Sequence, residues 1–270
     1  MLNLFFTLSF KTKSIAILLF IAAGCTQMKQ VAIEGPSLKT KKPYKTRFDF
    51  VAGEKLLWQE NFATTAIGDF PKGWNTNAGA EVVNEKGKEE KSLLLSKDGV
   101  YIPLAVQQLP ENFTLEFNLS CSANFSYYSS PLDIMFASLS SKKEYTVLKQ
   151  YNPNTKDVVK LWLHPHNAAS NAGYSGYQFF EKGIKQMENE INTPQFFAQG
   201  GPASVKVSIW RQKERVRVYL NDDKVWDLSE GFGETIKYNS IVFGIHHITD
   251  PTGKYFISNI KLATTVEDNK

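Results

Sequence analysis

The chain has 270 residues, with 31 Lys and Arg against 27 Asp and Glu, 13 % aromatic residues and two cysteines. The net charge of +4 comes from a basic first 47 residues that outweigh an acidic remainder, so it does not make a nucleic-acid-binding body. Two cysteines exclude a disulfide-built scaffold, and the length beyond the N-terminal region fits one all-β domain of about 200–250 residues.

The opening segment MLNLFFTLSFKTKS carries Lys11 and Lys13 and no acid, and IAILLFIAAG (15–24) is an apolar run that ends in small residues. That order of charge, apolar core and small residues marks a secretory signal over residues 1–24. The two lysines interrupt the roughly 20 apolar residues that a membrane-spanning helix needs. Cys25 follows in the context IAAGC, which resembles the lipobox of bacterial lipoproteins. Ala23, Gly24 and Cys25 match that pattern, and Ala22 stands where leucine is commoner. The resemblance implies that Cys25 becomes the new N-terminus and carries lipid (palmitate among its acyl chains). It places the exported protein on the cell envelope, at the outer membrane, with the membrane as partner through the anchor. Cys121 is then left without a disulfide partner and reads as a small buried hydrophobe. Residues 25–47 form a tether: Lys29, Lys39, Lys41, Lys42, Lys45 and Arg47 face only Glu34, and Pro36 and Pro43 break any periodicity. Signal and tether carry net charges of +2 and +5, so residues 48–270 carry −3.

Alternation of apolar and polar residues dominates the body. KLLWQENF (55–62), KSLLLS (91–96), FTLEFNLS (113–120), LDIMFASL (132–139) and DVVKLWLH (157–164) read as strands, as do SVKVSIW (204–210), ERVRVYL (214–220), SIVFGIHH (240–247) and KYFISNIKLA (254–263). Asp222–Asp223 reads as a two-residue hairpin break. The stretch EKGIKQMENEINT (181–193) reads as a short helix weakened by Gly183. In GDFPKGWNTN (68–77), Pro71 and Gly73 shape a corner whose Phe70 and Trp74 are expected to plug the core. The fold class that follows is an all-β sandwich over residues 48–265, with a short tail at 266–270.

Three stretches, LWQENFATTAIGDFPKGWNTN, VRVYLNDDKVWDL and YFISNIKLAT, resemble landmarks of concanavalin A-like (laminin G/glucanase-type) jelly rolls. They are also similar to the domain that precedes the peptidoglycan-binding module in some outer-membrane OmpA-family proteins. The likeness covers residues 48–264, and no such module follows it here, so peptidoglycan binding by that module is not implied. The resemblance implies a concanavalin A-like β-sandwich. It also implies a structural calcium between the first and last strands, for which Glu60, Gly68 and Asn259 are candidates by position.

Hydrolases of this fold carry a Glu-x-Asp-x-(x)-Glu strand, since retaining glycosidases need two carboxylates about 5–5.5 Å apart. The nearest stretch here is Glu116-Phe117-Asn118, and LDIMF holds Asp133 alone. No catalytic residue is therefore assigned. The pairs His164/His166 and His246/His247 lack a zinc-ligand context and read as strand-end histidines. Aromatics that stack on sugar rings are the remaining signal. Tyr127, Tyr128, Trp162, Tyr174 and Tyr177 are the candidates, placed to rim one face of a jelly roll beside Asn167, Asn171 and Gln178. The expectation is a non-catalytic, lipid-anchored envelope protein with a lectin-like sandwich. It would bind a glycan or an envelope protein, or serve envelope organisation, and use no nucleic acid and no cofactor beyond the calcium. The alternative is a glycan-active hydrolase with a non-standard carboxylate pair. A close pair of buried carboxylates in a cleft separates the two.

Overall fold

A computed structural model describes residues 48–264, apart from 96–97, 124, 149–152, 154–155, 199 and 248–252. The expected signal, the lipidated Cys25, the tether and the tail at 266–270 lie outside the described residues. Two antiparallel sheets face one another. The eight-stranded sheet runs in the order β13 (Asp223–Leu228), β12 (Arg215–Leu220), β11 (Ala203–Gln212), β6 (Asn112–Cys121), β15 (Tyr255–Thr264), β4 (Lys91–Leu95) and β3 (Ala80–Asn84). Its eighth strand, β1 (Lys55–Glu60), shares the β4 edge of β15. The seven-stranded sheet runs β10 (Ile184–Thr193), β9 (Gly173–Glu181), β8 (Val158–His164), β7 (Leu132–Ala137), β14 (Ser240–Ile245), β5 (Gly99–Pro103) and β2 (Trp74–Thr76). One helical turn, α1 (Tyr145–Leu148), completes the described elements.

The alternating residues explain why the sheets close on each other. Phe113, Leu115, Phe117 and Leu119 on β6 and Val205, Val207 and Ile209 on β11 point inward. They meet Ile134 and Phe136 of β7 and Phe243 of β14, all buried in one core. Edge-on contacts such as Phe117–Phe243, with centroids 5.4 Å apart, knit the two layers. Trp74 is a plug, as its corner implied. It is 3 % exposed, and its ring lies about 6 Å from those of Trp58, Phe62 and Phe243. Cys121 closes the inner row of β6, and burial pushes its thiol up to about 12.

Two local readings need correction. Residues 184–193 form strand β10 and not a helix, because Lys182 and Gly183 both adopt positive φ and close a tight hairpin onto β9. Met187 and Ile191, spaced four apart as on a helix face, also share a strand face. The β12–β13 turn is Asn221–Asp222, one residue earlier than Asp222–Asp223, since Leu220 pairs with Asp223 and Asn221 takes the left-handed conformation.

Candidate ligand-binding face

Because Ile134, Leu161, Tyr177 and Phe243 face the core, the alternate residues of β7, β8, β9 and β14 must lie on the outer face of the seven-stranded sheet. That face divides in two. On one half, Val100, Ile102, Met135, Ala137, Leu139, Leu148, Val158 and Val242 form an apolar cluster against Tyr145 of α1. On the other half the same strands present polar groups. Trp162 sits in register between Asp133 and Gly176, and Lys160 sits beside Gln178, which in turn pairs with Glu188.

The geometry of this polar half is specific. Asp133 is 1 % exposed, and its Oδ2 lies 3.0 Å from His246 Nε2 and 3.9 Å from Lys160 Nζ. Lys160 Nζ also stands 5.5 Å from the centre of the Trp162 ring. The Trp162 indole lies flat over Gly176, where a Cβ would come within 1.6 Å of it. Any side chain at 176 would displace the ring. Gln178 Nε2 donates to Glu188 Oε1 at 2.5 Å, while Gln178 Oε1 is buried without a partner. The Glu188 carboxyl is held below its usual range by hydrogen bonds from Lys185 and Gln178.

Aromatic groups gather at one end of this half. His164 is fully buried and stacks on Tyr174 with centroids 4.8 Å apart and planes 18° apart. Its Nδ1 accepts from the backbone N–H of His166 at 3.0 Å, so the proton sits on Nε2, which donates to the Ser129 carbonyl at 2.7 Å. Burial pushes this imidazole down to about 4. The Ser129 bond ties down the loop between β6 and β7, and that loop projects Tyr127 and Tyr128. These are 42 % and 79 % exposed, with rings 5.3 Å apart. Tyr127 also approaches His164 and His166, at 6.4 and 6.3 Å.

The fold therefore brings Tyr127, Tyr128, Trp162 and Tyr174 to one face. Tyr177 is excluded from it. It lies on the opposite side of β9, 1 % exposed, with its hydroxyl donating to the Gly231 carbonyl at 2.8 Å, and it has no surface to offer a ligand. Trp162 is also less open than its polar neighbours in sequence implied, at 9 %. The sequence named Gln178 only as a neighbour of the aromatics and His246 only as a strand-end histidine, and it left Lys160 out of the site. Lys160 and Gln178 were visible as polar interruptions of apolar strands, in VVKLW and GYQFF.

Among the described residues the buried carboxylates do not converge, and the partly exposed Asp49 and Asp227 meet around Lys224 Nζ, 3.2 Å from each. The buried pair among the described residues, Asp133 and Glu116, belongs to different sheets. Glu116 lies on the outer face of the eight-stranded sheet, where Lys206 Nζ meets it at 2.5 Å. Along the outer face of β7, the positions two and four residues beyond Asp133 are Met135 and Ala137. Glu60 pairs with Ile260, next to Asn259, and its two oxygens accept from Phe62 N at 2.8 Å and Trp74 Nε1 at 3.4 Å. Gly68 N–H donates to the Val82 carbonyl, and Asn259 Nδ2 donates to Glu90. No group of three or more His, Cys, Asp or Glu among the described residues is arranged to hold a metal ion.

Two packed antiparallel sheets of this topology define a concanavalin A-like, galectin-like β-sandwich. No family model matches the chain, and no curated protein matches it by sequence. Solved structures do. The carbohydrate recognition domain of Emp47p superposes with a TM-score of 0.53 at 13 % identity, covering 78 % of this chain and 98 % of that one. A Bacillus subtilis protein with a galectin-like fold gives 0.55 at 10 % identity, over 78 % and 97 %. A Bacteroides ovatus mixed-linkage glucan GH16 protein, solved with a G4G4G3G product, gives 0.53 at 11 % identity, over 77 % and 100 %.

Proposed function

We propose that this protein is a non-catalytic glycan-binding module held on the cell envelope by lipid at Cys25. The observation that carries the binding reading is the polar half-face itself: hydrogen-bonding groups of Asp133, Lys160 and Gln178 surround the Trp162 indole, and an exposed Tyr127–Tyr128 pair stands at its end. Sugars present both apolar ring faces and hydroxyls, and such a face offers a counterpart to each. Asp133 is the one buried carboxylate of that face, and Glu188, three strands away on β10, is engaged by Lys185 and Gln178. Acid/base hydrolysis uses two carboxylates close together, so this arrangement supports binding over cleavage. The carbohydrate recognition domain and the glucan-bound GH16 structure that share the fold point to the same class of ligand.

The test incubates the purified full chain with soluble polysaccharides and isolated peptidoglycan, following tryptophan fluorescence and reducing ends together. Saturable binding without sugar release is expected, weakened about tenfold or more in Tyr127→Ala and Tyr128→Ala. Release of reducing ends would overturn the non-catalytic reading, and binding unaffected by both variants would overturn the site. For the anchor, labelling of cells with an alkyne fatty acid is expected to mark the protein and to fail in Cys25→Ser. Outer-membrane placement is checked by fractionation of the same cells.

A further inference from the structure

The inner row of β11 runs Val205, Val207, Ile209 and then Arg211, a charge where the pattern calls for another apolar side chain. Arg211 pairs in register with Phe113 of β6 and is 1 % exposed. Its guanidinium is wedged against two rings, with Cζ 4.3 Å from the centre of Phe232 and 5.2 Å from that of Tyr238. Nε donates to the Lys213 carbonyl at 2.8 Å and Nη1 reaches the Pro110 carbonyl at 3.5 Å. Nη2 is buried and has no partner, and no carboxylate forms an ion pair with this group among the described residues. Burial lowers the guanidinium from its ordinary value, as an uncompensated buried cation requires.

Arg211 lines a cavity of about 320 Å³ between the sheet ends, together with Gln108, Asn112, Lys237 and Thr264. That volume falls at the lower end of small-molecule sites. Glu111 also lines the cavity and acts on Arg211 through space. Its carboxylate is exposed and already ion-paired with Lys237 Nζ at 3.0 Å, so the Arg211 guanidinium keeps an unpaired donor with no ion-pair partner among the described residues. We propose that this cavity binds an anionic group, the carboxylate or sulfate of a small molecule, with one oxygen accepting from Nη2 of Arg211. The site is separate from the glycan face. It lies at the Asn112 end of β6, whereas the Tyr127–Tyr128 loop follows the Cys121 end, roughly 30 Å away along a ten-residue strand.

The experiment is calorimetric titration of the full chain at constant ionic strength with sodium acetate, sodium sulfate and sodium glucuronate, and with glucose as the neutral control. Saturable binding of at least one anion and none of glucose is expected. The glucuronate arm separates a free anion from an anionic sugar, because tighter binding of glucuronate than of acetate assigns the cavity to the sugar acid. Arg211→Met keeps the side-chain volume and removes the charge, and is expected to weaken the anion at least tenfold. Gln108→Glu, on the exposed rim of the cavity, places a competing carboxylate there and tests the same site without touching the core. It is expected to weaken binding severalfold. Absence of saturable binding for all three anions overturns the proposal, as does undiminished binding in the folded variants.

Discussion

His164 fastens the loop that carries Tyr127 and Tyr128, and its titration makes that fastening measurable. Burial pushes the ring down to about 4, against about 6.5 in an unfolded chain. With the lower value in the folded state, the unfolded chain binds the proton more readily. Stability is therefore whole above pH 6.5 and is lost as the pH falls from 6.5 towards 4. A separation of about 2.5 units at 1.36 kcal/mol each amounts to roughly 3 kcal/mol. The structural cause is burial of the ring away from water; protonation also removes the lone pair that accepts from the His166 N–H, while the bond to the Ser129 carbonyl persists. His164→Gln retains a donor for Ser129 and does not titrate. Urea denaturation of both proteins at pH 7, 5.5 and 4 is expected to show the wild type losing about 3 kcal/mol more than the variant over that range. Parallel pH dependences would refute the reasoning, because they would mean that the buried ring carries no proton linkage.

Three further outcomes follow from single contacts. Trp74→Ala removes the plug between Trp58, Phe62 and Phe243 and is expected to cost about 3–5 kcal/mol in urea denaturation. Tyr177→Phe leaves the buried Gly231 carbonyl without its donor and is expected to cost about 1–2 kcal/mol of stability while leaving glycan affinity unchanged. A loss of affinity there would restore Tyr177 to the site. Gly176→Ala forces the Trp162 indole off the sheet, so its emission is expected to shift to the red and the glycan-induced fluorescence change to vanish.

Inward rows were legible in the sequence wherever a strand has one polar face, as in β6, β11 and β12. Among strands buried on both faces, β7, β8 and β14 were legible as apolar runs. In contrast, β5 has only five residues and β9 is broken by Ser175, Gly176 and Gln178, so neither gave a run or an alternation. β10 escaped for the opposite reason. It is an edge strand exposed on most positions, and its spaced Met187 and Ile191 fit a helix as well as a strand until the Lys182–Gly183 turn decides. Three of the four tyrosines singled out reach the face. Tyr177 does not, because residues three apart on a strand point to opposite faces, and Tyr174 is the one that shares the outer face with Gln178. The interplay of Asp133, Lys160, Gln178 and His246 was illegible, since those residues are scattered over more than one hundred positions and meet only through the order β9-β8-β7-β14.

The two halves of the outer face give the main support for the proposal that its polar residues serve a ligand and not the fold. They share strands and near-complete burial, so they act as controls for each other. Where Met135, Ala137, Val158 and Val242 lie, the sheet is covered by apolar side chains and α1, and this stabilises it in the ordinary way. One residue pair further along the same strands, Asp133, Lys160 and Gln178 are each less than 10 % exposed and must offset their lost hydration with one another. Replacing such a buried charged pair by apolar residues of similar volume is often neutral or stabilising, and the neighbouring half demonstrates that this sheet accepts them. A folding requirement therefore does not account for the polar half. Gln178 Oε1 is buried without a donor, and in the proposed function a sugar hydroxyl supplies it.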